Sequence, residues 1–366
     1  MMTKHKISFC TVSMNRLHHL KLTLQKNILD NIGYKNLEFV LLDYSSTDDI
    51  AEWVKTELNE YSQTGLLKFY QHAGAELFDR SHSRNMAFRL ASGEILCNVD
   101  ADNFLGAGFA NYINKIFTKN DGSGESNFFL TPEYTYRDVI GRLVIKKSDF
   151  ESSKGYNESM KGYGFEDLEL YDRLCKDKFS QIKFSEQKFL TAINHSNSER
   201  FTNEFIGRNC LSIYLSYKDP SKTEILYLFK DGFLEWGTLY DTDDDLEQIS
   251  TKMGSEKILL IQGWKKCSWT HSPNIFQVTD DNLKIINFNV IEDGLILHQC
   301  SEEAIYYKVT SDNLSDQLKL LKCEIDNREI WKKNINLGEE KINLNGFGNG
   351  TVTRNFGEKV ITLSSW

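Results

Sequence analysis

The sequence has no basic excess, no paired-cysteine spacing, no long apolar run and no internal repeat, and each absence removes a class of protein. Its 43 lysines and arginines stand against 52 aspartates and glutamates, a net charge of −9. Binding nucleic acid without regard to sequence means displacing counterions with Lys and Arg, so the acidic balance argues against a nucleic-acid partner. The seven cysteines, Cys10, Cys97, Cys175, Cys210, Cys267, Cys300 and Cys323, are scattered, odd in number and never spaced C-x-x-C. That speaks against a disulfide framework or a zinc cage, and for free thiols in a reducing cytosol. No apolar run nears the ~20 residues that span a bilayer. The opening MMTKHKISFC leads straight into a strand-like segment and is not expected to be a signal peptide. The expected location is cytoplasmic, with peripheral association at the inner face of the membrane left open.

What remains is a 366-residue chain, 40% hydrophobic and 26% charged, long enough to bury a sizeable core and to form two to three domains. The composition changes along it. Residues 1–220 carry 27 basic and 29 acidic side chains, whereas residues 221–366 carry 16 and 23. Trp53 lies in the first part, and Trp236, Trp264, Trp269, Trp331 and Trp366 lie in the second.

The first part alternates strand and helix signals. Ile7–Val12, Leu37–Leu42, Leu66–Tyr70 and Ile95–Val99 are short apolar runs. Leu17, Leu20, Leu24 and Ile28 repeat at helical spacing, Asp48 or Thr47 can cap a helix carrying Ile50, Trp53, Val54 and Leu58, and a further helix is expected over Ser83–Ala91. This alternation predicts an α/β domain around a parallel sheet, with ligands beyond the carboxyl ends of its strands. Another helix is expected from about Phe165 to Lys176. Beyond Pro220 the pattern changes to β-like runs, Leu318–Ile325 and Val360–Leu363 among them, separated by turns such as Asp293-Gly294. The expected division is a domain of residues 1–219 and a β-rich accessory module of residues 220–366, a β-sandwich or similar, serving acceptor binding or oligomerisation.

Two acidic constellations carry the chemistry. Asp100-Ala101-Asp102 ends the fourth strand-like run, and carboxylate oxygens there suit a hard divalent cation. Glu166-Asp167 follows Gly162-Tyr163-Gly164-Phe165 at a helix start. Neighbouring helical side chains diverge by about 100°, so the two carboxylates can serve different partners. His195, about 28 residues further on, is a candidate ligand whose imidazole tilts the choice towards Mn²⁺ over Mg²⁺. Arg16, Arg80 and Arg84 are candidate phosphate contacts. His18, His19, His72 and His82 read as solvated or packing residues. The run Asp241-Thr242-Asp243-Asp244-Asp245 reads as a solvated loop before it reads as a calcium site.

These motifs carry a resemblance. Ser83-Arg84-Asn85, Ala91-Ser92-Gly93-Glu94 and Asp100-Ala101-Asp102 resemble the A-R-N, A-x-G-E and D-A-D pattern of GT-A glycosyltransferases, particularly family 2. Asp43-Tyr44-Ser45-Ser46-Thr47-Asp48 resembles that family's nucleotide loop, with Tyr44 where a second Asp is usual. The opening strand through Thr11, Ser13, Asn15 and Arg16 resembles its donor-binding turn. Ala73–Arg80 looks like a stretch of the β-1,4-galactosyltransferases (family 7), and Gly162–Leu170 is similar to their acceptor and base motif and to that of chondroitin-type polymerases. Tyr163 replaces Trp there, and Phe165 replaces a Gly.

The resemblance spans about residues 5–200 and implies a GT-A fold, Rossmann-like and nucleotide-sugar-binding, followed by the β-rich module. It further implies that Asp167 is the base and Glu166 an acceptor contact, with Tyr163, Gly164 and Phe165 beside it. Asp102, His195 and Asp100 become metal ligands, and Thr11, Ser13, Asn15, Arg16, Asp43, Tyr44, Arg80, Arg84, Asp100 and Ala101 line the donor. The donor would be a UDP-sugar (UDP-Gal, UDP-GalNAc or UDP-Glc), the cofactor Mn²⁺ with Mg²⁺ as second choice, and the acceptor a glycan or glycolipid of a bacterial surface. A sugar-phosphate nucleotidyltransferase would open with a Gly-rich basic loop, where this chain has Ser13-Met14-Asn15-Arg16. A non-catalytic carbohydrate-binding protein would have no need of both carboxylate pairs.

Overall fold

A computed structural model describes residues 4–121, 127–133, 137–219, 222–241, 259–299, 302–337, 342–357 and 359–364. The chain divides into two compact units: residues 1–196 with 326–366, and residues 197–325.

In the first unit the strands are β1 (Ile7–Ser13), β2 (Leu37–Tyr44), β3 (Leu67–His72), β4 (Ile95–Asn98), β5 (Asn103–Phe104), β6 (Phe128–Pro132), β7 (Val144–Lys146), β8 (Ser180–Phe184) and β9 (Thr191–Ala192). The helices between them are α1 (Leu17–Asn31), α2 (Ile50–Glu57), α3 (Asn59–Gln63), α4 (Arg80–Leu90), α5 (Phe109–Asp121), α6 (Lys147–Ser152) and α7 (Glu166–Lys176). Strands β3, β2, β1 and β4 lie side by side in parallel. β7 then pairs antiparallel with β4, and β6 and β8 extend the sheet beyond it.

β1 and β2 are buried along their whole length, as parallel strands covered on both faces must be. The period of two sorts their side chains. Ile7, Phe9, Phe39 and Leu41 join one core layer with Leu20, Leu24 and Phe109, while Cys10, Val12, Val40 and Leu42 join the opposite layer with Met86, Phe88 and Leu170. The expected strands and helices of residues 1–100 are all present, with shifted ends. Asp48 caps α1 instead of the helix at Ile50: its Oδ2 accepts from the Leu17 amide at 2.9 Å.

The second unit is a closed antiparallel barrel of β10 (Cys210–Asp219), β11 (Lys222–Phe229), β12 (Phe233–Asp241), β13 (Leu259–His271), β14 (Ile275–Thr279), β15 (Ile285–Ile291), β16 (Gly294–Gln299) and β17 (Glu302–Lys308). Short helices α8 (Asn197–Phe201) and α9 (Phe205–Asn209) precede it. β10 closes the ring on β17, so the module is a barrel and not a sandwich. Phe276, Phe288, Leu295, Leu297 and Tyr306 fill it, with Trp236 and Trp269 packed against them.

The expected division at 219/220 falls inside this barrel, where Asp219 pairs with Lys222 across the β10–β11 hairpin. The strand expected at Leu318–Ile325 is part of helix α10 (Asp312–Leu337). Val360–Leu363 is a strand but not of the barrel: β18 (Gly350–Arg354) and β19 (Lys359–Leu363) form a hairpin whose β18 edge pairs with β3 in the first unit. Residues 242–245 of the acidic run, Cys300, Trp366 and the side chain of Trp264 lie outside the described residues.

Candidate active site

The D-x-D segment leaves the carboxyl end of β4 and is held in place by the buried polar face of α1. Thr23 Oγ1 donates to the Ala101 carbonyl at 2.7 Å. One turn on, Asn27 donates to the Asn103 carbonyl at 2.9 Å and accepts from the Leu105 amide at 2.7 Å. β5 then pairs with β9, Asn103 opposite Ala192, and the Ile193 amide donates to the Asp102 carbonyl at 2.9 Å. This pairing delivers His195 to the D-x-D segment: its Nε2 lies 2.8 Å from Asp102 Oδ2. Asp102 Oδ1 accepts from Asn103 Nδ2 at 3.0 Å. The His19 ring packs 5.4 Å from the His195 ring.

Arg84 organises the other carboxylates. It is 3% exposed. Its Nη1 donates to Glu166 Oε1 and to Asp167 Oδ1, both at 3.1 Å, and its Nη2 to Asp100 Oδ1 at 2.9 Å. One guanidinium thus joins the two acidic motifs, 66 residues apart between Asp100 and Glu166. Burial raises the Asp167 carboxyl to about 7 despite the opposing charge of Arg84, and the charges of Glu166 and Asp100 add to the rise. Burial also works against ionised Asp100, but Arg84 and the Asn98 amide hold that carboxyl below its ordinary value. The cluster therefore contains one carboxylate kept ionised and one poised to exchange a proton near neutrality, the pattern of a proton-transfer site. Glu166 Oε2 is buried without a hydrogen-bond partner.

Gly141, which sequence reasoning missed, makes this approach possible. A Cβ there would stand 2.9 Å from Asp100 Oδ2, 3.0 Å from Arg84 Nη2 and 3.2 Å from Asp167 Oδ2. A lone glycine before a short apolar strand gives no signal of that role. Asn98, also missed, donates to Asp100 Oδ1 at 3.1 Å and to the Gly141 carbonyl at 2.8 Å.

The expected donor turn is built from β1, β2 and the loops after them. Thr11 and Ser13 are buried in β1, and Ser13 Oγ has no partner. Asn15 stands in a left-handed conformation, φ 57°. Its amide meets Ser46 Oγ at 3.0 Å, and its Oδ1 accepts from the Thr47 amide at 2.7 Å, tying the two loops together. Arg16 Nη1 donates to the Asn15 carbonyl at 3.5 Å. Burial raises the Asp43 carboxyl although the Ser46 amide and Gln71 both donate to it. Tyr44 differs from the expectation. It continues the Val40, Leu42 side of β2, so its ring is buried among His72, Phe78 and His82, and its hydroxyl lies 2.8 Å from His82 Nδ1. Tyr44 supports the donor loop from the core.

At the turn before α7, Arg80 lies over the Tyr163 ring, 4.8 Å from its centroid. Gly164 and Phe165 both have positive φ, 99° and 69°, a strained way to start a helix that fits a functional turn. Helix α10 supports it: Asn327 Nδ2 donates to the Gly164 carbonyl at 2.8 Å, and the Trp331 ring packs 5.8 Å from Phe165. Trp331 is therefore a support for this loop. Asn85, beside Arg84, fixes Gly155-Tyr156 through the Tyr156 amide and carbonyl, at 2.8 and 2.9 Å.

Asp102 and His195 are suited to a divalent cation. A carboxylate oxygen and an imidazole nitrogen converge, the side chains are 12% and 10% exposed, and Asn103 fixes the other carboxylate oxygen. Oxygen with imidazole is a donor set for Mn²⁺, and Mg²⁺ with more water is the alternative.

Comparison with known proteins meets this geometry from the sequence side. Residues 8–119 match the model for glycosyl transferase family 2, and residues 128–198 match the model for the N-terminal domain of galactosyltransferase. No curated protein matches the chain. Among solved structures, the mannosyltransferase PcManGT from Pyrobaculum calidifontis, in complex with GDP-Man and Mn²⁺, is 16% identical with a TM-score of 0.42; 56% of this chain and 64% of that one are covered. S. aureus TarS 1-349 with UDP-GlcNAc is 15% identical with a TM-score of 0.38, over 53% and 63%. A Drosophila β1,4-galactosyltransferase 7 mutant with manganese, UDP-Gal and xylobiose is 15% identical with a TM-score of 0.37, over 54% and 73%. The chain spans less than two thirds of the first two. The two glycosyltransferase family models together cover the segments that supply Arg84, Asp100, Asp102, Glu166, Asp167 and His195.

Proposed function

We propose that the chain is a metal-dependent, inverting glycosyltransferase that moves a hexose or N-acetylhexosamine from a UDP-sugar to a glycan hydroxyl. The observation that carries this reading is the buried cluster in which Arg84 holds Asp100, Glu166 and Asp167 together while Asp167 titrates at about 7. A base near neutrality can take a proton from an acceptor hydroxyl at working pH and release it afterwards. Asp167 takes that role. Glu166, whose Oε2 has no partner of its own, accepts a hydrogen bond from the acceptor sugar. Arg84 fixes both carboxylates, so the attack geometry is set before substrate arrives.

On the donor side, Asp43 reads the base, Asp100 contacts the ribose or a bound water, and Asp102 with His195 holds Mn²⁺ or Mg²⁺. When bound, the cation offsets the charge on the departing diphosphate. Arg80 and Arg16 are further phosphate contacts. The donor class is UDP-Gal, UDP-GalNAc or UDP-Glc, and the acceptor is a bacterial surface glycan or glycolipid. The barrel unit serves acceptor binding or self-association. Among the described residues no helix is long and apolar enough to cross a membrane, and contact with the inner face of a membrane would be peripheral.

A panel of UDP-sugars with mixed glycan acceptors, read by UDP release, tests the reading. One donor should release UDP in an acceptor-dependent manner, and the anomeric coupling of the product in proton NMR should show inversion. Retention of the donor configuration would remove Asp167 from its role, and binding of UDP with no transfer from any donor would leave a carbohydrate-binding protein.

A further inference from the structure

Arg142 is 1% exposed and is the bulkiest of the fully buried side chains among the described residues. Among the described residues no carboxylate is ion-paired with it, and the charges of Asp100 and Asp102 act on it only at a distance. Its Nη1 donates to the Phe189 carbonyl and its Nη2 to Asn103 Oδ1 at 2.8 Å, with the Phe109 ring 5.9 Å from its Cζ. A buried cation without a paired anion is costly to keep, so what it holds matters. One hand grips Asn103, the residue after Asp102. The other grips the start of the segment that ends at His195. The two backbones are also in close contact at this point, since a Cβ on Gly106 would stand 2.0 Å from the Lys188 carbonyl oxygen.

Asn103 passes the constraint on. With its Oδ1 engaged by Arg142, its Nδ2 faces Asp102 Oδ1 at 3.0 Å and the Asp138 carbonyl at 2.9 Å. That leaves Asp102 Oδ2 for His195 Nε2, 2.8 Å away. The path from Arg142 therefore reaches Asp102 by hydrogen bonds and His195 by six residues of backbone.

From this path we infer that Arg142 is a positioning residue for the cation. It clamps the Asp102 and His195 segments at one separation and thereby sets the preference for Mn²⁺, which the imidazole favours, over Mg²⁺. The inference rests on the reading of Asp102 and His195 as ligands. Partners that orient a metal ligand typically change affinity by about 10- to 100-fold when removed.

The test measures Mn²⁺ binding by the free-ion EPR signal in the presence of UDP, and Mg²⁺ by competition, on the full chain with Arg142→Met, Arg142→Lys, His195→Ala and the Met/Ala double variant. Thermal unfolding is followed for each. Arg142→Met should weaken Mn²⁺ by about 10-fold or more and Mg²⁺ less, and the double variant should lose less than the product of the two single losses, because both changes act on the same Asp102–His195 pair. Arg142→Lys, which keeps the buried charge but reaches one acceptor, should lie between and decides the matter if the Met variant does not fold. Mn²⁺ affinity within twofold of wild type in a folded Arg142 variant, or losses that multiply in the double variant, would overturn the clamp. An unchanged affinity in His195→Ala would instead remove the ligand assignment on which the clamp depends.

Discussion

Replacing Asp167 by Asn should cost activity and add stability, by amounts that follow from one observation. The Asp167 carboxyl is raised to about 7, by burial first and then by the neighbouring charges of Glu166 and Asp100, with Arg84 opposing. An unfolded Asp titrates at about 3.9. A carboxyl with a higher folded value favours folding of its protonated form. Its contribution is therefore full below about pH 3.9 and is lost as pH rises to about 7. At about 1.4 kcal/mol per pH unit, the raised carboxyl costs the fold about 2 kcal/mol at pH 5.5, where the folded chain keeps it protonated, and about 4 kcal/mol at pH 8.5, where it is ionised. Asn, of the same shape, can still accept from Arg84 Nη1 but carries no charge. Its stability relative to wild type should thus improve by about 2 kcal/mol between those two pH values. Transfer should fall by about 10²- to 10⁴-fold, the span of a general base, with Mn²⁺ and UDP binding nearly unchanged. Urea unfolding at the two pH values and UDP release at saturating donor measure both effects. Full activity in the variant would refute the base assignment. A relative stability that stays flat or falls with pH would refute the raised carboxyl.

Three other outcomes follow from the same cluster. kcat/KM should fall about tenfold per pH unit below pH 7 and level off above it, because ionised Asp167 is the active form; a pH-rate series checks this. Arg84→Ala leaves Asp100, Glu166 and Asp167 without their shared cation and should destabilise by about 3–5 kcal/mol at pH 8, and by less at pH 5, where the carboxyls can protonate; denaturant unfolding at both values reads the difference. Gly141→Ala pushes a methyl group against Asp100, Arg84 and Asp167, and should cost about 1–3 kcal/mol while lowering kcat more than it raises donor KM.

The parts of this molecule that local pattern dictates were legible in the sequence. β1 and β2 announce themselves as continuous apolar runs because they are buried on both faces. The motifs at Asp100-Asp102, Glu166-Asp167 and His195 were readable, and their convergence through Arg84 and through the β5–β9 pairing follows from the sheet. Tyr44 was misjudged although the signal was there: Val40, Leu42 and Tyr44 alternate onto one face of β2, and that face is core. Leu318 and Leu320, then Leu321, Cys323 and Ile325, read as short alternating runs, and only length and packing make them a helix, which short apolar runs do not reveal. Barrel closure by β10 on β17, and the return of β18 to β3, join segments about 90 and 280 residues apart, and no local pattern encodes such pairings. Gly141 and Arg142 act through the side chains around them and carry no motif.

The most direct test of the account is turnover of the accepted UDP-sugar titrated with Mn²⁺ after chelation, in wild type and in Asp102→Ala. The account predicts no UDP release without cation, saturable recovery with Mn²⁺ in wild type, and none in Asp102→Ala while that variant stays folded. Release that survives chelation, or recovery in Asp102→Ala equal to wild type, would contradict it.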